Sequence, residues 1–127
     1  MGRELVVFGE QFWRPYCHVD DLSRSVLACI EASDDKVAFD VYNVGDTTEN
    51  YQKQMIVDEI LKQIPQGKIK YVVKKEDPRD YRVSFEKISK NLDFKITKRV
   101  EDGIRVIKKA VEEGFLLNPD DPKFKNV

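Results

Sequence analysis

Apolar residues recur along the chain at two spacings, and each spacing predicts a different kind of element. An apolar stripe with a period of three to four residues is typical of a helix with one packed face. Three such helices are predicted, with the stripes Leu22, Val26, Leu27 and Ile30, then Met55, Ile56, Ile60, Leu61 and Ile64, and finally Val100, Ile104, Ile107 and Val111. A shorter helix through Phe85, Ile88 and Leu92 makes about four helices in all.

Short β-prone runs at residues 5–8, 16–19, 39–44 and 69–73 predict strands between these helices. The alternation of helix and strand favours an α/β fold of the mixed α+β kind, with a small sheet of three to four short strands. One domain is expected over residues 1–117, and a polar tail over residues 118–127.

Polar residues and glycines mark the ends of the predicted helices. Asp20 and Asp21 are expected to supply the cap and the first-turn acids of the first helix. Asn50 is expected to cap the second helix, because its side chain can accept a bond from a free amide of the first turn. Gly114 is expected at the C′ position that follows the last helix.

Composition narrows the possible partners. The chain of 127 residues has 22 basic and 23 acidic residues, so nucleic acid is not expected as a partner. Cys17 and Cys29 lack C-x-x-C spacing and His18 is the only histidine, which predicts two reduced, buried thiols and no zinc site. No apolar run is long enough for a membrane span, so a soluble, cytoplasmic protein is predicted. Met1-Gly2 is interpreted as a start in front of a segment that continued upstream.

Three motifs carry most of the information about function. They are Arg-Pro-Tyr-Cys-His-Val-Asp-Asp at residues 14–21, Tyr-Asn-Val-Gly at residues 42–45 leading to Asn50, and Pro-Arg-Asp-Tyr-Arg-Val-Ser-Phe-Glu-Lys-Ile at residues 78–88. In this order and at these distances, residues from about 5 to 115 resemble the C-terminal third of an NAD(P)-dependent nucleotide-sugar epimerase or dehydratase. That family is the extended short-chain dehydrogenase/reductase family, whose fold is of the Rossmann type.

The resemblance implies that this chain is the substrate-binding part of such an enzyme, without the dinucleotide-binding core. The six glycines form no G-x-G-x-x-G cluster, so no cofactor-binding residue is assigned here. NAD or NADP is implied for the full-length enzyme, and a nucleotide-diphospho-sugar is implied as the ligand. The partner that completes the enzyme would be the missing dinucleotide-binding domain or another copy of the chain.

Arg14 and Arg79 are the leading candidates for contact with the diphosphate. A planar guanidinium can bind two phosphate oxygens at once, and the arginines at both places reach the nucleotide phosphates in similar enzymes. The alternative for Arg14, which lies beside Trp13 and Pro15, is an ordinary surface role. Arg82 competes with Arg79 but stands in a strand-like run. Asn50 borders the nucleotide pocket in the resembled enzymes, and this role is compatible with a helix cap.

No residue of this chain is assigned to catalysis. The family uses a tyrosine with a lysine four residues later on one helix, and Tyr71 and Lys75 have that spacing. The two positions are about 6 Å apart on a helix, but about 13 Å apart on a strand. Because the surrounding run is strand-like, the pair is rejected. His18 is interpreted as a satisfied core histidine.

The chain departs from the family pattern at Asp93, where glycine is usual, and at Arg99, where a small hydroxyl cap is usual. Two functions therefore remain open. The chain is either the substrate-binding part of an epimerase/dehydratase, not catalytic alone, or a non-catalytic binding or protein-interaction module that retains the same scaffold. In the resembled family the segments matching residues 21–32 and 42–44 pack on the dinucleotide-binding domain, so apolar surface is expected to be exposed here.

Overall fold

The helices and strands alternate along the chain in a computed structural model that describes residues 4–115, 118 and 121–124. The strands are β1 (Glu4–Phe8), β2 (Trp13–Pro15), β3 (Asn50–Gln52) and β4 (Lys68–Val72). The helices are α1 (Val19–Glu31), α2 (Asp34–Val37), α3 (Lys53–Gln63), α4 (Glu86–Leu92) and α5 (Val100–Glu112), with 3₁₀ turns at Thr47–Glu49 and Pro122–Phe124. Met1-Gly2, the predicted domain boundary at residue 117 and part of the predicted tail lie outside the described residues.

The strands form two separate pairs instead of one sheet. β1 and β4 are parallel, with Glu4 opposite Lys68 and Phe8 opposite Val72. β2 and β3 are antiparallel, with Arg14 opposite Tyr51. The mixed α/β class is confirmed, but within the described residues the strands do not join into the single sheet of three to four strands that the sequence predicts.

Two of the predicted strands are wrong. Residues 39–44 form no strand, because no described strand exchanges backbone hydrogen bonds with them. The strand predicted at residues 16–19 lies three residues upstream, as β2, and Val19 already begins α1. The other two, at residues 5–8 and 69–73, are confirmed to within one residue as β1 and β4.

The main core is small and is built around α4. Phe85, Ile88 and Phe94 are buried together, and Ile88 is completely enclosed. Partly buried apolar residues pack around these three: Ala28, Tyr42, Val44, Val83, Leu92 and Ile96. The predicted helix through Phe85 and Leu92 is therefore confirmed, and it contributes Ile88 and Leu92 to this core.

Helix α1 carries its apolar stripe on the exposed side. Leu22, Val26, Leu27 and Ile30, here called the α1 apolar face, are between 50% and 73% exposed. The buried side of the helix holds Asp21 and Ser25 instead. The Ser25 hydroxyl donates to the carbonyl of Leu22 at 2.7 Å, so its burial leaves no polar group unsatisfied.

The helix ends correct two sequence predictions and confirm two. The cap of α1 is His18, whose Nδ1 accepts from the amide of Asp20 at 3.1 Å, while Asp20 and Asp21 lie in the first turn. Asn50 does not cap α3, because residues 50–52 form β3 and the helix begins at Lys53. Asp93 ends α4 in the left-handed conformation, with φ 47°. Gly114, with φ 74°, follows α5 as predicted.

The amide of Gly114 donates to Val111 and that of Phe115 donates to Ala110, which satisfies the last free carbonyls of α5. Among the described residues, no helix has the length and apolar character that a membrane crossing requires.

Candidate functional site

A buried carboxylate, that of Asp77, is the centre of the candidate site. It lies in the connection between β4 and α4, and its side chain is 1% exposed. A carboxylate with so little access to water needs charged partners or hydrogen-bond donors. Three cationic residues from separate segments supply them: Arg14 from β2, Lys53 from the start of α3, and Arg79.

Arg14 is fixed by three acceptors. Its Nη2 donates to Oδ2 of Asp77 at 2.7 Å, and its Nη1 donates to the carbonyl oxygens of Trp13 and Arg79. The side chain is 17% exposed. Because β2 pairs with β3, the backbone beneath Arg14 is held in place as well. Arg14 thus joins the β2–β3 pair to the loop that carries Arg79.

Arg79 faces the same carboxylate from the outside. Its backbone amide donates to Oδ1 of Asp77 at 3.0 Å, and its Nε lies 3.6 Å from that oxygen. The Arg79 side chain is 74% exposed, so most of its guanidinium is open to solvent. Arg14 and Arg79 therefore lie against the same anion, which here is the protein's own carboxylate, and their contact with a diphosphate stays a prediction.

Lys53 completes the group. Its Nζ donates to the carbonyl of Phe8 at 2.9 Å and lies 3.5 Å from Oδ2 of Asp77. The ammonium also lies 5.6 Å from the centre of the Phe12 ring. Lys53 therefore links the end of β1 to the site through the first turn of α3.

The local electrostatics favour negative charge. The hydrogen bond from the Arg79 amide lowers the pKa of Asp77 strongly, and although burial opposes this, the neighbouring Arg14 guanidinium lowers the pKa further. Asp77 therefore stays ionised throughout the physiological range. Three cations around one carboxylate leave an excess of positive charge, and the exposed Arg79 guanidinium is where an external anion could reach it.

Asn50 serves the site in a different way from the one predicted. Its Oδ1 accepts from the amide of Val83 at 2.9 Å and its Nδ2 donates to the carbonyl of Val83 at 2.9 Å. The Asn50 side chain therefore pairs with the backbone as a neighbouring strand would. Together with Arg14, which holds the carbonyl of Arg79, it anchors both ends of residues 79–83.

The residues between these anchors lie along β2. Asp80 Oδ1 accepts from the amide of Trp13 at 2.8 Å, and the amide of Tyr81 donates to the carbonyl of Trp13. Arg82, the competing arginine, places its guanidinium carbon 4.9 Å from the centre of the Trp13 ring. Arg82 stacks on an aromatic side chain and does not join the group around Asp77.

The other chemistry-bearing residues lie elsewhere. His18 is a satisfied histidine as predicted, because its side chain is 13% exposed and its Nδ1 accepts from the amide of Asp20, but it caps α1 and lies outside the core around α4. Tyr71 lies in β4 and Lys75 in the following connection, so the two do not share a helix. Both cysteines are free, but Cys17 is exposed and Cys29 half-buried, which corrects the prediction of buried thiols. Within the described residues, no group of three or more metal-ligating side chains is found.

An apolar groove of about 610 Å³ lies between α3, α5 and the start of α1. Isoleucines of α3 and α5 line the groove, among them Ile56, Ile60 and Ile104, and His18 and Lys98 also belong to its lining. Neither Arg14 nor Arg79 belongs to its lining. The charged cluster and the apolar groove are thus separate features.

Sequence reasoning missed Asp77 and Lys53. The available signal was an acidic residue two positions before Arg79, in the run Asp77-Pro78-Arg79. Such an acid can accept from the amide two residues later, as it does here. Nothing in the apolar pattern of α3 distinguishes Lys53 from the other surface lysines.

Comparison with known proteins shows the fold. No family model matches the chain. The solved structures that it resembles include UDP-glucuronic acid 4-epimerase from Bacillus cereus in complex with UDP-glucuronic acid and NAD, with a TM-score of 0.74, 19% identity, and coverage of 88% of this chain and 36% of that one. L-threonine dehydrogenase from Clostridium difficile gives a TM-score of 0.70 at 22% identity, and the match covers 87% of this chain and 37% of that one.

RMD from Pseudomonas aeruginosa, complexed with NADPH, gives a TM-score of 0.71 at 19% identity and covers 87% of this chain and 36% of that one. The chain therefore has part of the fold of these three proteins, and it spans a little over a third of their length. At these identities the likeness concerns the fold alone.

Proposed function

We propose that this chain is the nucleotide-diphospho-sugar-binding part of an NAD(P)-dependent epimerase/dehydratase, the C-terminal part of its fold, and is not catalytic alone. The observation that carries the proposal is the convergence of Arg14 and Arg79, 65 residues apart in sequence, on one buried carboxylate. A diphosphate is the ligand that such a cluster suits, because guanidinium groups bind phosphate oxygens through paired hydrogen bonds.

In this proposal, Arg79 contacts the diphosphate directly. Arg14 lies behind it, and Asn50 holds the loop that carries it. The dinucleotide, NAD or NADP, is bound in the cytoplasm by a partner that contains a dinucleotide-binding domain. That partner supplies the hydride chemistry, while this chain holds the sugar nucleotide.

A second candidate function is a non-catalytic binding or protein-interaction module on the same scaffold. The α1 apolar face favours it, because exposed apolar patches of this kind are typical of protein interaction sites. The two candidates differ in what they bind. The first requires a nucleoside diphosphate at Arg79, whereas the second requires a polypeptide on α1.

A thermal-shift panel tests the first candidate. The diphosphates of uridine, thymidine, guanosine and cytidine, and their sugar conjugates, are added to the purified chain. We expect at least one of them to raise Tm, since a ligand at 100 times its Kd adds about 2.7 kcal/mol to the free energy of unfolding. Arg79→Ala should abolish the rise while leaving the Tm of the ligand-free protein nearly unchanged, because the side chain is largely exposed.

Arg105→Ala is the matched control. Arg105 is similarly exposed, but it lies on α5 and pairs with Asp102. It is beside the C-terminal end of α3, whereas the candidate site, through Lys53, is at the N-terminal end of that helix. Its replacement should leave every ligand-induced shift intact. A flat response of the wild-type protein across the whole panel would contradict the proposed function and favour the interaction module.

A further inference from the structure

The two oxygens of Asp77 have different partners, and the difference separates the roles of the two arginines. Oδ1 accepts from the backbone amide of Arg79 at 3.0 Å, so it fixes the main chain of that residue. Oδ2 accepts from the side chain of Arg14 at 2.7 Å and faces the ammonium of Lys53 at 3.5 Å. One buried carboxylate thus sets the backbone of Arg79 and the side chain of Arg14 at once.

Three of the five N–H groups of Arg14 are already committed to acceptors of the protein. Its guanidinium donates to Asp77 and to the carbonyls of Trp13 and Arg79, with little of it open to solvent. Because the side chain is only 17% exposed, an external anion has little access to the remaining N–H groups of Arg14. Arg79 is in the opposite situation, because the 3.6 Å from its Nε to Oδ1 is too long for a good hydrogen bond and its side chain projects into solvent.

We propose that Asp77 is a positioning residue of the anion site, holding Arg14 and the backbone of Arg79 so that the Arg79 guanidinium alone meets the ligand. This rests on the proposed function and deepens it. Arg14 acts with Asp77, because it also donates to the carbonyl of Arg79. The resemblance implies two arginines in contact with the diphosphate, whereas this arrangement has one contacting arginine and one supporting arginine.

A simpler role for Asp77, that of a counter-ion, gives an opposite result. If Asp77 only balanced the charge of the cluster, it would compete with the ligand for Arg79, and removing its charge would tighten anion binding. If Asp77 positions Arg79, removing its charge weakens binding although the site becomes more positive. Asp77→Asn distinguishes these roles by the sign of its effect, since asparagine has the same shape.

The probe is inorganic pyrophosphate, which carries the chemistry shared by all nucleoside diphosphates, titrated into the full chain by calorimetry. We expect Asp77→Asn to raise Kd about tenfold, the scale of one charge-assisted hydrogen bond. Glu76→Gln is the control, because it removes the same charge from the adjacent, exposed position. It should change Kd by about twofold or less, toward tighter binding.

A second readout concerns the ligand-free protein. The Arg79 amide should exchange its hydrogen slowly in the wild type, because it donates to a buried oxygen, and faster in Asp77→Asn. Glu76→Gln should leave that exchange unchanged. If Asp77→Asn does not fold, Arg14→Lys serves instead. It keeps the charge but loses the fork of donors, and should also weaken pyrophosphate binding and speed the exchange of the Arg79 amide.

The outcomes separate this inference from the proposed function. Tighter binding of pyrophosphate by Asp77→Asn, or an unchanged Arg79 amide, overturns the positioning role alone. A further outcome is that Asp77→Asn weakens pyrophosphate binding, as expected, while Glu76→Gln leaves it nearly unchanged. If, at the same time, no nucleoside diphosphate or sugar conjugate stabilises the wild type, the positioning role is supported and the proposed function is refuted. A wild-type chain that does not bind pyrophosphate overturns the positioning role, and if the nucleotide panel is also flat, the proposed function falls with it.

Discussion

Three buried carboxylates hold together segments that are distant in the sequence. Asp21, Glu49 and Asp77 are each less than 10% exposed. Asp21 accepts from the amides of Thr97 and Lys98, Glu49 accepts from the amide of Val100 and pairs with Arg99, and Asp77 binds Arg14 and Arg79. In a chain with so small an apolar core, these polar junctions decide which loops meet.

The Asp21 junction gives a test by mutation. Burial alone would raise the pKa of Asp21, but hydrogen bonds from Lys98, Thr97 and Arg24 outweigh it and lower the pKa. Asp21→Asn replaces an acceptor of these bonds by a donor inside a closed site. We expect it to lower the free energy of unfolding at pH 7 by about 3 kcal/mol, measured by urea denaturation.

The pH dependence of this loss has a definite sign. The folded-state pKa of Asp21 lies below that of a free aspartate, which is about 3.9. The contribution of the ionised Asp21 to the free energy of unfolding is therefore complete above about pH 4, and it is lost as the pH falls through the folded-state pKa. The stability difference between wild type and Asp21→Asn should therefore be constant near neutrality and should narrow below about pH 4. A difference that widens in acid would contradict the assignment.

At the scale of elements, the C-terminal end of α5 depends on local backbone geometry. The two glycines near α5 illustrate this, since one is inside the helix and the other just beyond it. A Cβ at Gly114 would meet nothing within 4 Å, yet φ there is 74°. A Cβ at Gly103 would only make an ordinary contact with His18, at 3.6 Å.

Alanine at these two positions should have opposite effects. Gly114→Ala should destabilise the chain by about 1 kcal/mol, because the left-handed conformation is costly for a residue with a Cβ. Gly103→Ala should stabilise it by about the same amount, through higher helix propensity. Urea denaturation of the two variants measures both signs, and equal effects in the same direction would refute this account of the end of α5.

The helices could be predicted from the sequence far better than the strands, for a physical reason. The hydrogen bonds of a helix lie within it, so the apolar stripe of residues 100–111 was enough to predict α5. A strand is completed only by a neighbour, and residues 39–44 have a strand-like sequence but no described strand beside them. Asn50 misled in the same way, because its side chain binds Val83, which is distant in sequence.

The site was predictable in part. Arg14 and Arg79 were identified through a resemblance, and the structure brings them together. Asp77, the residue between them, could not be ranked above other acids, since its importance comes from burial that depends on the whole fold. Long-range junctions of this kind leave no periodic pattern in a sequence.

At the scale of the whole molecule, apolar residues are divided between a small enclosed core and a large exposed surface. Ile88 is completely enclosed and packs with Phe85 and Phe94, whereas Ile30 on the α1 apolar face is 73% exposed. The sequence pattern does not distinguish the two isoleucines, because each lies on a helical apolar stripe. Only the packing of the segments decides which stripe is buried.

Substitution of each isoleucine by alanine measures how much the burial of its side chain contributes to the free energy of unfolding. Ile88→Ala should lower the free energy of unfolding by about 3 kcal/mol, through lost burial and a cavity. Ile30→Ala should change it by less than about 0.5 kcal/mol, as is usual for an exposed position. Urea denaturation at low protein concentration gives both values. A comparable loss for Ile30→Ala would mean that α1 is buried in solution, by another molecule or by other residues of the chain.

The parallel pairing of β1 with β4 also bears on how the polypeptide is made. Residue 4 pairs with residue 68, so the first strand cannot be completed until a further 60 or so residues have been synthesised. At 5–20 residues per second, a ribosome takes about 3–12 s to supply them. Throughout that interval Leu5, Val6 and Phe8 remain unpaired on the nascent chain, so aggregation through this short run is held off only once β4 has been made.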